Sequence, residues 1–427
     1  MPALAIGPDM SLEALKKDVS AAVEGMREEL LALSHAIHAE PELALEEHKA
    51  AARLTASVEA HGLPVQRGAF GLETAYVSEF GRDDGPNIAI LSEYDALPGI
   101  GHACGHNIIA TAGLGASLAL AKLDGRLPGR VRYLGTPAEE RFGGKEIMAR
   151  DGAFERLDAA MMMHPANLDL VTMPCIAISE VEATYYGRAA HAAAMPYRGL
   201  NALDAVVTAY QSIAQLRQHI RQTERIHGII TDGGLAANIV PEKASCRFYV
   251  RAADVHQLIE LKARVQACFD AGALATGCRL QLHWGNSDYL DLKTNWPMAG
   301  AFERNAAALG REFFPIREIP PGFAGSTDMG NVSHRVPSIH PMFAVAPAGV
   351  IIHNAEFAKW AASEKGDAAV LDGAKAMAQT ALDLMCDEPL RQRVKADFEA
   401  TRELSERAIA KMHETTPAHA HAGCGCA

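Results

Sequence analysis

A single glycine separates Cys104 from His106 in the run Ser92-Glu93-Tyr94-Asp95-Ala96-Leu97-Pro98-Gly99-Ile100-Gly101-His102-Ala103-Cys104-Gly105-His106-Asn107. A thiolate and a neutral imidazole at that spacing can turn toward one cation, and this donor pair suits zinc. The same residues also read as a buried loop cysteine beside a helix-capping histidine. Gly135-Thr136-Pro137-Ala138-Glu139-Glu140 offers two adjacent carboxylates, of which one can bind a metal while the other carries protons. Taken alone, an acidic first turn on the following helix is the simpler account of that pair. Met161-Met162-Met163-His164-Pro165 and Ile351-Ile352-His353-Asn354 each run through apolar residues into a histidine, which in such places is more often structural than ligating. Coincidence shifts the balance. Four metal-type groups each stand at the end of an expected apolar strand or loop, where one shared site would use them all.

The elements that must position these residues follow from hydrophobic period and punctuation. Leu15, Val19, Val23, Met26, Leu30, Leu33 and Ile37 recur at helical spacing over Ser11 to Ala39, and Pro41 stops the run. A second helix is expected from Glu46 to His61, ending at Gly62, and a small-residue helix from Ile108 to Leu123. Apolar runs at Asn87 to Ser92, Val131 to Thr136, Ala159 to His164 and Ser338 to Val345 read as buried strands. Strands alternating with helices imply an α/β domain with a largely parallel sheet. Ligands bind such sheets at the carboxyl ends of the strands.

The middle of the chain has another rhythm. Strands are expected at Ile176 to Tyr186, Ile226 to Thr231, Lys243 to Arg251 and Arg279 to Asn286. Helices are expected at Leu200 to Ile220 and from the N-cap Asp254 to about Ala271. The order β-α-β-β-α-β is that of a ferredoxin-like domain. We therefore expect a catalytic, metal-binding domain formed by residues 1–177 and 294–427, interrupted by an inserted domain at 178–293.

Composition bounds the function. At 427 residues two domains are the natural expectation, with 49% hydrophobic and 22% charged residues. A formal net charge of −12 argues against broad nucleic-acid binding, which needs excess Lys and Arg. No stretch approaches the roughly 20 apolar residues that span a bilayer. Met1 to Met10 lacks the pattern of a secretory signal. Eight cysteines without framework spacing fit a reduced cytoplasm. The tail His419 to Ala427 carries His and Cys, but a frayed terminus is the expectation there.

His-Ala-Cys-Gly-His, then Pro-Ala-Glu-Glu, an isolated His164, the Gly187 to Pro196 segment with His191, and the late His353 together resemble a known family. It is the amidohydrolase branch of the dinuclear metallopeptidases, which includes aminoacylases, auxin-conjugate hydrolases and glutamate-releasing carboxypeptidases. The resemblance spans nearly the whole chain, from His38-Ala39-Glu40-Pro41-Glu42 to His353. Asn107, where much of the branch has Asp, and Gly325-Ser326-Thr327-Asp328-Met329-Gly330 tilt it toward the p-aminobenzoyl-glutamate hydrolase subgroup and related dipeptidases. Ochratoxin-type aryl-amide hydrolases are among the relatives.

The resemblance implies a three-layer αβα, zinc-exopeptidase-like catalytic domain with an inserted ferredoxin-like α+β lid and dimerisation domain. It implies two zinc ions per protomer, with manganese or cobalt as substitutes. Cys104 would bridge them, and His106, Glu140, His164 and His353 would complete the ligands. Glu139 would be the general base, and His191 and Asn238 would stabilise the oxyanion. Arg251, Ser326 and Thr327 are the candidates for substrate binding. The expected reaction is hydrolysis of an amide in an N-acyl or N-aroyl amino acid, or a dipeptide, bearing a free carboxylate. A homodimer or larger homo-oligomer is expected. Two other readings stay open: a metal-independent cysteine hydrolase using Cys104 with His106 or His102, and a non-catalytic metal-binding protein.

Overall fold

The computed structural model describes residues 11–319 and 324–415. The tail from His419 and residues 320–323 therefore lie outside the described residues. Residues up to Pro174 together with Leu292–Ser405 form one unit, and Cys175–Asp291 with the residues from Glu406 form another. Among the described residues no helix is long and apolar enough to cross a membrane.

In the first unit a six-stranded sheet runs in the order Gln66–Arg67, Tyr76–Gly81, Arg130–Gly135, Asn87–Ser92, Ala159–Met161, Ser338–Ile339. The last four are mutually parallel, Tyr76–Gly81 joins them antiparallel, and Gln66–Arg67 pairs antiparallel with it at the edge. Side-chain alternation builds two cores. Ile88, Ile90, Val131, Tyr133, Ala159 and Met161 pack with the large cluster of helices Leu12–Gly25, Arg27–Ala39, His48–Ala60, His106–Ala121, Trp296–Ala308 and Glu364–Cys386. Ala89, Leu91, Leu134, Ala160 and Met162 face the opposite way, onto Met148, Phe154, Met329 and Val332. The unit is thus three layers, helices on both faces of a mostly parallel sheet. The helix from His106 is buried along almost its whole length. Its small residues allow that: a Cβ at Gly113 would fall 2.3 Å from Ser92 Oγ.

Three details differ from what the sequence leads one to expect. The apolar stripe from Ser11 to Ala39 is two helices, broken at Met26, whose φ of −105° and ψ of 7° leave the helical range after Gly25. The runs 159–164 and 338–345 are each split in two, with Met342–Ala344 pairing in parallel with His164–Ala166 in a separate two-stranded sheet. Pro341, which has no N–H to give a ladder, sits at the break, and its carbonyl takes the His164 N–H at 2.9 Å. The strand Tyr76–Gly81, second from the edge, has no counterpart among the expected strands, because its mixed residues Tyr-Val-Ser-Glu-Phe-Gly form no continuous apolar run.

The second unit is a four-stranded antiparallel sheet ordered Arg279–Trp284, Ala177–Tyr186, Lys243–Ala252, Arg225–Asp232. In chain order this is 4-1-3-2, the ferredoxin-like arrangement. Helices Ala202–Leu216 and Val255–Thr276 pack Val206, Ile213, Leu261 and Phe269 against Val181, Tyr185 and Phe248. Asn201 and Asp254 cap these helices by accepting first-turn N–H groups, and Gly277 ends the second at a φ of +72°.

Candidate metal and amide-hydrolysis site

The carboxyl ends of the parallel strands gather the candidate residues of the first unit. The strand ending at Ser92 leads to Glu93, Asp95, Cys104 and the helix that begins at His106. Gly105 must be glycine at this junction. Its φ is +77°, and a Cβ there would meet Pro165 Cγ at 2.5 Å. The neighbouring strand ends at Gly135 and releases Glu139 and Glu140. His164 opens the short strand beyond Met161.

Residues far apart in sequence thereby meet. Cys104, His106 and His164 each offer a ligand atom within 4.8 Å of the other two, and so do Cys104, Glu140 and His353. Cys104 belongs to both groups. Cys104 Sγ lies 3.4 Å from His164 Nε2, and Glu140 Oε1 lies 3.8 Å from His106 Nε2 and 3.5 Å from His353 Nε2. Glu139 groups with His106 and Glu140 on one side and with Glu93 and Asp328 on the other.

The imidazoles are oriented for coordination. His106 Nδ1–H donates to Asp95 Oδ1 at 3.0 Å, and His164 Nδ1–H donates to the Pro165 carbonyl at 2.6 Å. Both rings therefore turn Nε2 toward the site, where a bound cation would take the place of a proton, the arrangement in which an outer partner fixes a ligand histidine. His106 Nε2 and Glu140 Oε1 are buried and have no hydrogen-bond partner among the described residues. Orphaned donor atoms of this kind, converging with a thiol, fit a bound cation. The side chain of His353 is half exposed, and its φ of +66° turns it toward Glu140 while its N–H donates to the Ala103 carbonyl at 2.9 Å.

Electrostatics agrees with that fit. Burial pushes the Cys104 thiol well up, and the Glu140 carboxylate adds to this, so a thiolate there calls for a nearby cation rather than an unaided nucleophile. Burial opposes protonation of His106, but Cys104 and Asp95 outweigh it and hold that imidazole well above its ordinary range. His164 is driven well below by burial, then by His340 and His106. Burial, then Glu93 and Glu140, push Glu139 far above the usual carboxylate range, as suits a proton carrier.

One carboxylate cluster already contains its own cation. Lys145 Nζ, fully buried, binds Glu93 and also Asp328 Oδ1 at 2.6 Å, while its N–H donates to Asp328 Oδ2 at 2.8 Å. Burial raises Glu93 and Asp328, a neighbouring carboxylate adds to each, and the Lys145 ammonium pulls against both. Glu93, Asp95, Lys145 and the buried His340, whose ring lies 5.3 Å from that of His164, have no role assigned to them by sequence alone. Asp95 could have been found, since it sits in the same run as Cys104; Lys145 and His340 have no comparable motif.

The remaining candidates are placed as follows. Thr327 is buried, and its Oγ1 accepts the Met329 N–H at 3.1 Å; Ser326 beside it is partly exposed. In the second unit His191 is exposed, and its Nδ1 accepts the N–H groups of Ala193 and Ala194 at 3.2 and 3.1 Å. Its proton is thus on Nε2, a donor directed outward. Asn238 is exposed on the adjoining segment, where its backbone carbonyl takes the Ala192 N–H at 3.0 Å. Arg251 is half-buried over the Tyr249 ring, 3.3 Å from His227 Nε2.

A mostly parallel three-layer sheet with a Cys, His and carboxylate cluster at its carboxyl edge, joined to a ferredoxin-like unit, defines a metallopeptidase architecture. The chain belongs to peptidase family M20/M25/M40, whose model matches residues 89–383. It is a metal-dependent hydrolase of amide bonds. The chain is 41% identical to the Xaa-Arg dipeptidase of Mus musculus over 401 residues, covering 91% of this chain and 93% of that one. It is 28% identical to one of the p-aminobenzoyl-glutamate hydrolase polypeptides of Escherichia coli strain K12 over 456 residues, covering 89% and 94%. Among solved structures, the aminobenzoyl-glutamate utilization protein of Klebsiella pneumoniae shares the fold, with a TM-score of 0.71, 17% identity and coverage of 86% and 99%. So does a dinuclear metal binding M20 peptidase of Bacillus subtilis, at 0.64, 20%, 85% and 99%.

Proposed function

We propose that the chain hydrolyses the amide of a dipeptide or N-acylated amino acid with a free carboxylate, using two zinc ions and Glu139 as general base. The observation that carries this reading is the pair of ligand groups sharing Cys104, with Glu139 beside both His106 and Glu140. Cys104, His106 and His164 would hold one ion, and Cys104, Glu140 and His353 the other. Bound there, a zinc pair would supply Lewis acidity toward the amide carbonyl and draw the pKa of the attacking water toward about 7. Glu139 takes the proton from that water and returns it to the departing nitrogen. His191 Nε2–H and the Asn238 amide are the donors for the developing oxyanion, and the Arg251 guanidinium suits the substrate carboxylate. Ser326 and Thr327, directly before Asp328, are the hydroxyl groups proposed to meet the substrate.

Relatives named Xaa-Arg dipeptidase, in Mus musculus at 41% identity and in Homo sapiens at 39%, make dipeptides ending in arginine the first substrates to try. N-acetyl and p-aminobenzoyl amino acids come next. The second unit, residues 178–293 in its sequence-based bounds, would serve as lid and dimerisation domain. Exposed Ile229 and Ile230 on its edge strand, with exposed Val207 on a helix, support a homodimer. Cysteines scattered through the chain without framework spacing favour the cytoplasm.

The test is Glu139→Gln on an alanyl-arginine substrate. Zinc content stays at the wild-type level while kcat falls by about 10²–10⁴. Turnover surviving that change removes Glu139 as the base. Activity indifferent to a chelator, and to zinc added back, points instead to Cys104 as a nucleophile.

A further inference from the structure

Two backbone N–H groups bracket Glu139, and a buried carboxylate receives each. Glu140 N donates to Asp95 Oδ2 at 2.9 Å, and Ala138 N donates to Glu47 Oε1 at 2.8 Å. Asp95 also orients His106; Glu47 has no such second task. Glu47 stands at the start of the helix His48–Ala60 yet makes no side-chain cap to it. Glu42 does that work, taking the Lys49 and Ala50 N–H groups at 2.9 Å. Glu47 instead turns inward and is fully buried, its other oxygen fixed by Thr74 Oγ1–H at 2.9 Å. Burying a carboxylate is costly, and its position therefore calls for a use.

What it holds is an unusual backbone. Ala138 has a φ of +62°, a left-handed conformation that a residue with a Cβ rarely adopts. That turn sends consecutive side chains apart, Glu140 toward His106 and His353, Glu139 toward Glu93 and Asp328 as well. The loop has no slack on its far side either, since a Cβ at Gly144 would fall 1.8 Å from the Pro137 carbonyl oxygen.

We propose that Glu47 is a positioning residue for the hydrolysis, holding Ala138 in its left-handed turn and thereby fixing the direction of the Glu139 carboxylate. This rests on Glu139 being the base. The hydrogen bond rather than the charge does the holding. Burial, then the Asp95 carboxylate, push Glu47 up to about 7, and either protonation state keeps an oxygen for Ala138 N–H.

The test compares Glu47→Ala, Glu47→Gln and Glu139→Gln in the full chain loaded with zinc, on alanyl-arginine. Glu47→Ala lowers kcat by up to about 100-fold, with KM, zinc content and circular dichroism unchanged. Glu47→Gln, which keeps the acceptor, retains the wild-type kcat. Adding Ala138→Gly to Glu47→Ala recovers part of the loss, because glycine accepts a positive φ without strain. If Glu47→Ala does not fold, Glu47→Asp replaces it, one methylene too short to reach Ala138 and with the same expected loss. Wild-type kcat in Glu47→Ala overturns the proposal. So does a Gln variant as slow as the Ala variant, or a loss of zinc that accounts for the lost rate. Full activity in Glu139→Gln, where Glu47 is native, marks failure of the base assignment itself.

Discussion

Lys145 in the first unit and Arg247 in the second each bridge two carboxylates, under opposite conditions. Lys145 lies between Glu93 and Asp328 with all three side chains no more than 1% exposed. Arg247 lies between Glu180 and Glu182 on the outer face of an antiparallel sheet, each partner 38–47% exposed. The histidines divide the same way. His106 and His164 are buried, each with one nitrogen committed to a fixed acceptor, whereas His191 points a donor outward from an exposed turn. Charge at the Lys145 cluster and beside His106 has been taken out of water during folding, so any reaction there meets groups already oriented. The Arg247 cluster keeps its solvent and little energy is at stake there, although the second unit also buries one pair, Lys262 with Asp288 at 2.6 Å.

That contrast yields predictions of graded size. Lys145→Met should be the most damaging to stability. It leaves two buried carboxylates without their counter-ion, a change worth about 3–5 kcal/mol in chemical denaturation. A loss below about 1 kcal/mol means the buried charges are hydrated and the contrast fails. His191→Ala should leave stability and zinc content at wild-type values while kcat drops by about 10²–10³. Steady-state kinetics with parallel metal analysis checks this, and an unchanged kcat removes His191 from the chemistry. Asp95→Asn should weaken zinc by about 10–100-fold, because the amide cannot hold the His106 tautomer as the carboxylate does; competition with a zinc chelator reads it out. Equal affinity in variant and wild type would place the control of His106 elsewhere. Arg247→Ala, the smallest, should shift unfolding by under about 1 kcal/mol.

Legibility followed the range of the causes. Helix starts were readable to within a residue or two because caps act on near neighbours: Ser11, Asn201 and Asp254 all accept first-turn N–H groups, whereas the helix expected to stop near Ala271 runs on to Thr276. The ferredoxin-like unit was readable for the same reason, each element carrying its own period between turns. The break at Met26 was not, because the apolar stripe continues through it and packing decides where a long helix bends around a sheet. Nor was the split of 159–164 and 338–345, where two segments far apart in the chain change partners together. The chemically useful residue types in the site were visible as motifs. Their couplings were not.

The order of Cys104, His106, Glu139, Glu140, His164 and His353, and their placement after apolar strands or loops, were determined along the chain. Tertiary structure alone decided that they converge, that Asp95 and the Pro165 carbonyl choose the tautomers of His106 and His164, and that Ala138 parts the two glutamates. It also decided the partner of Lys145, a carboxylate 183 positions away. The physical reason is that periodicity and capping depend on neighbours within a few residues. The ionisation of a buried group depends on whatever else is buried beside it, and no local pattern encodes that.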